Sequence, residues 1–448
     1  MEKCIILLFF VISIALPLRG QTGESQADYD TITTGLHKPL ILVSTRGVAY
    51  GSPDHFNNST LFGEVGVSTS WRFSNMVMNA SFRHREGYAL GERISIPELR
   101  EAYAGYVSPH LDLLLGNQII TWGKTDGFNP TNHVTPVDYF LLSGEPDDQK
   151  MSNFLLQARI RPVRNTVLTL IAIPVYRPSV YRFELFDMGS EASFLTPAYP
   201  DVTIKNGAWA AKADLMLGRA DLAVSWFEGY HPEFGFAMDT IILLPKPDIR
   251  YRPDYYRTRT AGMAIATPFG KNIFRGEAAW NFTSGYENNM HIPYPDLSYV
   301  AGLERVMLGT TAILQYVGKF TPGFTPLDEP VLSNPLDLLA QLKYAMDLIE
   351  YESALFNRKI FYQQEKTNHA ITLSLIRSFS WDRLSAELSG YYNITSEEHM
   401  ERVSITWNFS DHLKAGIGGS RMAGPDRSLF DKAAPVMNGA WLSFKATF

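Results

Sequence analysis

The chain has 448 residues, of which 45% are hydrophobic, 13% aromatic and only 19% charged, with a formal net charge of −6. Soluble chains average about 25% charged residues, yet a mean hydropathy of −0.10 excludes a bundle of apolar membrane helices. The acid excess argues against a nucleic-acid partner.

The first twenty residues stand apart. Lys3 precedes the apolar run CIILLFFVISIALPL, and Arg19, Gly20 and Gln21 follow it. The run is short for a spanning helix and has the layout of a secretory signal over 1–20; an N-terminal anchor is the competing reading. Removing it takes away Lys3, Arg19 and Glu2 and leaves 38 basic against 45 acidic residues, a net −7. The single cysteine, Cys4, goes with it, so neither disulfides nor thiolate metal sites are expected. Residues 21–37 read as a short tail. Beyond them no stretch of 18 or more apolar residues occurs, so no spanning helix is expected.

From residue 38 onward one unit repeats: roughly ten to thirteen residues of period-two alternation, then a break. Eighteen such runs begin near Leu40, Leu61, Met76, Pro97, Leu111, Asn153, Val167, Gly207, Leu222, Tyr256, Phe274, Ser298, Thr311, Ala370, Leu384, Arg402, Leu413 and Asn438. ERVSITWNFS is the clearest. It sets Val403, Ile405, Trp407 and Phe409 against Arg402, Ser404, Thr406 and Asn408. About ten residues per run is the length a tilted membrane strand needs.

The breaks alternate in length. Those near Phe73-Ser74 and at SPH, PVRN, LGR, PFGK, LG, SW and SDH are very short, whereas those at 123–149, 177–204, 230–254 and 321–365 are long. Short turns on one rim and long loops on the other point to an outer-membrane barrel; a soluble β-sandwich or propeller would not sort its connections this way. The last run, GAWLSFKATF, puts Leu442, Phe444, Ala446 and Phe448 on one face. A barrel in lipid must pair its last strand with its first, because an open edge leaves backbone groups unsatisfied.

Over residues 38–448 the sequence resembles the Gram-negative outer-membrane porin-like β-barrels, on the leader, the alternation, the loop asymmetry and the terminal strand with Phe448. The stretch LGNQIITWGKTDGFNPTN also resembles a motif of some uncharacterised porin-like families. The resemblance implies an antiparallel transmembrane β-barrel of 16–18 strands in the cell outer membrane, with short periplasmic turns and long extracellular loops. It implies outer-membrane lipid around the barrel and an assembly machinery that reads Phe448. A homo-oligomer is compatible with the pattern, and no cofactor is implied.

Taking the apolar parity as lipid-facing leaves Arg72, Arg83, Arg85, Gln118, Arg159, Arg161, Glu277 and Glu387 as pore-lining candidates, along with Glu64, Lys212, Asp214, Arg275 and Arg402. Arg83, Arg85, Arg159 and Arg161 would form a basic wall, either tuning ion preference or pairing with loop acids. Arg257 and Arg259 fall on the apolar parity, which requires an outer-rim position or a bulge. The loop WGKTDGFNPTNHVTPVDYFLLSGEPDDQK is the candidate constriction, with Trp122, Lys124, Asp126, Asn129 and Asp138 as its marked residues and Glu145, Asp147 and Asp148 as further acids. Folded inward it would oppose the arginines; folded outward it is an acidic surface loop.

SNPLDLLAQLKYAMDLIEYES reads as a helix over 334–353, capped by Asn334 with Pro335 at its start, and serves either as a lid or as packing on the rim. Enzymatic readings find little support. No HExxH, P-loop or GxGxxG occurs, and none of the loop histidines, His133 and His231 included, neighbours a serine in a nucleophile motif. The sequence therefore points to a porin-like channel for passive or weakly selective diffusion of small hydrophilic solutes. The alternative is a non-transport barrel, an adhesin, receptor or structural protein, that binds a partner through its long loops.

Overall fold

The computed structural model describes residues 39–52, 59–186, 192–243 and 248–448. The signal and tail readings over 1–37 lie outside the described residues. Alternating side chains dictate the architecture: a strand with one apolar and one polar face must put lipid on the first and water or polar protein on the second.

The first seven strands are β1 (Leu40–Gly51), β2 (Thr60–Phe73), β3 (Met76–Ala89), β4 (Glu92–Val107), β5 (Leu111–Gln118), β6 (Asn153–Val163) and β7 (Thr166–Ile173). A short strand, β8 (Ala192–Phe194), precedes β9 (Ala208–Leu217) and β10 (Ala220–Tyr230). Then come β11 (Gly235–Ile242), β12 (Asp248–Asp254), β13 (Arg257–Phe269), β14 (Asn272–Phe282), β15 (Asp296–Met307) and β16 (Thr310–Phe320). After a helix, α1 (Leu338–Ile360), follow β17 (Thr367–Phe379), β18 (Leu384–Asn393), β19 (His399–Ser410) and β20 (Leu413–Ala423). A second helix, α2 (Leu429–Met437), leads into β21 (Gly439–Thr447).

Eighteen of these strands form one closed antiparallel sheet, and β8, β11 and β12 form a separate three-stranded sheet. The eighteen alternating runs of the sequence are the eighteen barrel strands. Closure is by β1 on β21, with Ser44 opposite Thr447 and Gly51 opposite Ala440. Phe448 extends the seam: its N–H donates to Val43 O at 2.7 Å and its carbonyl accepts from Val43 N at 2.9 Å. The cylinder thus has no free edge.

The outer face carries Val65, Leu115, Leu156, Val224, Met263, Leu314, Leu388 and Leu442, all exposed. Aromatic pairs mark its two borders: Trp71–Phe73 and Trp407–Phe409 near the short turns, Trp280–Phe282 near the long loops. The short turns include Leu308-Gly309, with φ of 52° and 76°. Positive φ at both central residues matches the right-handed twist of the flanking strands.

One strand start of the sequence reading changes, and of its two readings for Arg257 and Arg259 the outer-rim one holds. The fourth run starts at Glu92 rather than near Pro97. Leu90 and Gly91 (φ 52° and 81°) make a tight turn on the long-loop rim, so the ladder continues through residues that read as a break. Arg257 and Arg259 need no bulge, because the register of β13 with β10 and β14 is unbroken. They face outward beyond the apolar band, where Arg259 Nε pairs with Glu228 Oε1 at 3.1 Å.

Long loops cover the extracellular mouth. Phe183, Phe234, Phe236, Tyr251, Tyr255, Tyr256, Phe356, Ile360 and Phe361 pack into one aromatic core that joins the small sheet to the C-terminal half of α1. Asn357 sutures them: its Oδ1 accepts from Phe236 N at 2.8 Å and its Nδ2 donates to Phe236 O at 2.9 Å. The helix is capped by Asp337, whose side chain accepts from Leu339 N, and not by Asn334. Asn334 instead holds the preceding turn, accepting from Leu336 N, and the helix runs on to Ile360. Its N-terminal half stands free, with Leu338 65% and Leu339 74% exposed.

Candidate functional site

The connection between β5 and β6, residues 119–152, turns into the barrel. Trp122 anchors its first arm, packing with Val134 of the loop itself against Leu155, Ile171, Ala210 and Phe227 on the wall of β6, β7, β9 and β10. Its indole also lies under Lys212 Nζ, 5.6 Å from the ring centroid. The chain then reaches β14, where Glu277 gathers it. Glu277 Oε1 accepts from Lys124 N, from Thr125 N at 2.7 Å and from Thr125 Oγ1 at 2.9 Å, while Oε2 accepts from Thr131 Oγ1 at 2.9 Å. The Asn129 amide, with its nitrogen toward the same carboxylate, donates at 3.2 Å. A carboxylate accepting this many donors is a strong, directional anchor. Gly123, at φ +113°, allows the approach; a Cβ there would sit 2.7 Å from Glu277 Oε1.

The tip crosses the lumen. Phe128 stacks on Tyr391 of β18 at 5.5 Å between centroids, while Asp126 stays 3.7 Å from Arg275 of β14. Lys124 Nζ is 3.9 Å from Asp214, which also pairs with Lys212 at 3.1 Å.

The second arm, residues 138–150, lies against the opposite wall. Asp148 meets Arg46 of β1 at 2.5 Å and Arg83 of β3 at 3.0 Å. Burial raises the Asp148 pKa, but Arg46, the Ser143 hydroxyl and Arg83 outweigh it and hold the carboxyl at about 2. Glu64 and Glu98 complete the network, Glu64 with Arg46 at 3.1 Å and Glu98 with Arg83 at 2.8 Å and Arg85 at 2.7 Å. Glu145 pairs with Arg46 and with Lys414 of β20. Arg100 donates to the carbonyls of Asp147, Asp148 and Lys150, and Arg402 to Gly144 O. Asp138 turns the chain, accepting from Phe140 N at 3.0 Å; burial pushes its pKa up.

The positions singled out by sequence fall into three groups. Arg83 and Arg85 are buried in the network that clamps the loop, and Glu277 and Gln118 are buried beneath it, Gln118 donating to Leu155 O. Arg161 pairs with Asp112 near the short turns. Arg72, Arg159 and Glu387 lie on the inward parity of β2, β6 and β18 and are partly exposed. The sequence reading missed Arg46, Glu98 and Arg100. Arg46 stands alone between small and apolar residues in VSTRGVAY, and Arg100 is the extra residue of a β-bulge opposite Ser81 and Phe82, two residues after Glu98, that shifts the parity of β4.

The loop also docks on the lid. Val180 forms a bridge with Asp138, Tyr139 stacks on Tyr181 at 4.8 Å and donates to Glu233 at 2.8 Å, and His133 meets His231. The result is an asymmetric lumen. Inner-wall residues of the extracellular half, among them Val48, Tyr50, Phe62, Ala370, Tyr391 and Trp441, are buried. Those of the periplasmic half, among them Ser44, Ser68, Ser81, Ser374, Ser385 and Ser404, are partly exposed.

No protein-family model matches the chain, and no curated protein matches it. Solved structures do. Acinetobacter baumannii OccAB3 is similar at TM-score 0.53 and 10% identity, over 92% of this chain and 99% of that one. The outer membrane protein opdK of Pseudomonas aeruginosa is similar at TM-score 0.54 and 8% identity, over 92% and 100%. A second structure of opdK, with vanillate, is similar at TM-score 0.52 and 8% identity, over 92% and 99%. At such identities the likeness is one of architecture. The chain has the fold of the Gram-negative outer-membrane porin-like β-barrels, with eighteen strands and a closed seam.

Proposed function

We propose that this chain is an outer-membrane channel for small hydrophilic solutes, with loop 119–152 as its constriction. The observation that carries the reading is the loop's course. It enters a closed, polar-lined barrel and is tied at Glu277 on one side and at Arg46 and Arg83 on the other. Fixed charges and dipoles at a narrow point set which solutes pass. Here the arginines of β1 and β3 are matched by Glu64, Glu98, Glu145 and Asp148, so the clamp has little net charge and favours weak selectivity. Arg72, Arg159 and Glu387 line the route below it. The presence of vanillate, a small organic acid, in opdK supports solutes of that size. Phe448, hydrogen-bonded into the seam, is the residue presented to the assembly machinery.

A second reading, a barrel that binds a partner through its outer loops, is favoured by the exposed Leu336, Leu338 and Leu339 at the start of α1. Liposome swelling separates the two. The channel reading expects uptake that falls with solute size and rises when residues 326–360 are deleted. No uptake by either protein, with both barrels correctly folded, sinks it.

A further inference from the structure

The constriction loop meets the root of the lid at a pair of imidazoles, His231 standing one residue past β10, where its N–H donates to Tyr256 O at 3.0 Å. His133 Nδ1 and His231 Nε2 are 3.0 Å apart, with ring centroids at 4.8 Å and planes at 60°. The surrounding bonds fix the tautomers. Glu233 N donates to His231 Nδ1 at 3.1 Å, so that nitrogen carries a lone pair and the neutral ring holds its proton on Nε2. His231 Nε2 therefore donates to His133 Nδ1, and neutral His133 holds its proton on its own Nε2. That nitrogen is buried with no hydrogen-bond partner among the described residues, and His133 lines a cavity of about 20 Å³ together with Asn153 and Arg177.

This arrangement admits no further proton. A proton on His133 Nδ1 would face the N–H of His231. A proton on His231 Nδ1 would face the backbone N–H of Glu233. Both rings are enclosed away from water, which disfavours an imidazolium; Phe227 lies 5.4 Å from the His133 ring and Tyr256 stacks on His231 at 5.3 Å. The charged groups facing the pair are otherwise engaged. Glu233 accepts from Tyr139, Asp296 lies 3.6 Å from Lys319 Nζ, and Arg177 donates to Ser152 O.

We propose that the His133–His231 pair is a proton-sensitive latch that ties the constriction loop to the lid and lets go when either ring is charged. The proposal rests on the channel reading for its purpose but not for its test. Burial, followed by the neighbouring His231, lowers the His133 pKa to about 3, and burial lowers that of His231 as well. Release into water restores a value of about 6.5. Between about pH 6.5 and pH 3 the released state therefore binds more protons than the latched one. Latching is therefore complete above about pH 6.5 and weakens as pH falls, by about tenfold per pH unit for each ring that gains a proton.

The test uses the full mature chain in liposomes, spin-labelled at Ile242→Cys on the lid and Leu308→Cys on a periplasmic turn, frozen at pH 7.5 and at pH 5. Pulsed electron resonance is expected to show one distance at pH 7.5 and a second, longer population at pH 5. That population should be absent in the His133→Gln/His231→Gln protein, whose amides can hydrogen-bond but not titrate. An unchanged distance in the wild-type pair, or the same shift in the glutamine protein, overturns the latch. A lid shift without solute flux at either pH upholds the latch and sinks the channel reading instead.

Discussion

Arg46 of β1 and Asp148 of the 119–152 loop meet at 2.5 Å inside the barrel, where the arginine side chain is only 3% exposed. Without the Asp148 charge, Arg46 keeps Glu64 and Glu145 and Arg83 keeps Glu98, so what is lost is the charge-assisted hydrogen bonds to the loop, about 1.5–3 kcal/mol each. Asp148→Asn is therefore expected to loosen the second arm of the loop and enlarge single-channel conductance. A conductance equal to wild type would show that the arm is held by the Arg100 and Arg402 contacts instead.

Acid should act on this clamp in its own window. The Asp148 carboxyl is held at about 2, below its ordinary 3.8. A lowered carboxylate stabilises the clamp fully above 3.8 and loses that effect as pH falls toward 2. In the His133→Gln/His231→Gln background, conductance should stay flat from pH 7 to pH 4.5 and change only below about 3.8. A change at pH 5 in that background would place the sensitive group elsewhere.

The anchor on β14 is tested by Glu277→Ala. The loop then loses acceptors for Lys124 N, Thr125 N, Thr125 Oγ1 and Thr131 Oγ1. Stranded buried donors cost about 1–3 kcal/mol each, so the first arm should become protease-sensitive while the barrel stays intact. Equal cleavage rates in wild type and variant would show that Trp122 and its apolar neighbours hold the arm unaided.

Gly144 lies under Trp441, at φ +80°, and a Cβ would come within 2.5 Å of the indole. Gly144→Val meets both a backbone that β-branched residues avoid and a rigid ring in a strand. The second arm should lift from β21, with larger solutes admitted in liposome swelling. Trp441→Ala in the same chain relieves the ring contact but not the backbone strain, so it should restore only part of the wild-type size limit.

The two halves of α1 should respond differently. Phe356→Ala removes a ring buried in the lid core and should destabilise the lid by about 3–5 kcal/mol. Leu338→Ser on the free half should fall within about 0.5 kcal/mol of wild type. Hydrogen exchange of the lid amides separates the outcomes, and a large loss from Leu338→Ser would mean that this half is covered.

The barrel was legible because its physics is local. Alternation, turn length and the terminal aromatic each act over a few residues, and the eighteen runs they define are the strands observed. The constriction loop was recognisable as a long acidic stretch beside arginines, but its course was not. Whether residues 123–149 fold inward depends on Glu277, more than a hundred residues away, and on Arg46, which carries no pattern of its own. The lid sheet escaped for a similar reason. β8 pairs in parallel with β12, and neither segment alternates long enough to read as a strand. The bulge in β4 hid Glu98 and Arg100 by changing parity midway.

The lumen's two unequal halves make the two mouths of the barrel different. From outside, the lid and the clamp are met at once; from the periplasm, a band of hydroxyls comes first, with Arg72, Arg159 and Glu387 set among them. An inhibitor supplied from the periplasm would reach the throat unobstructed, while the same inhibitor outside would have to wait for the lid.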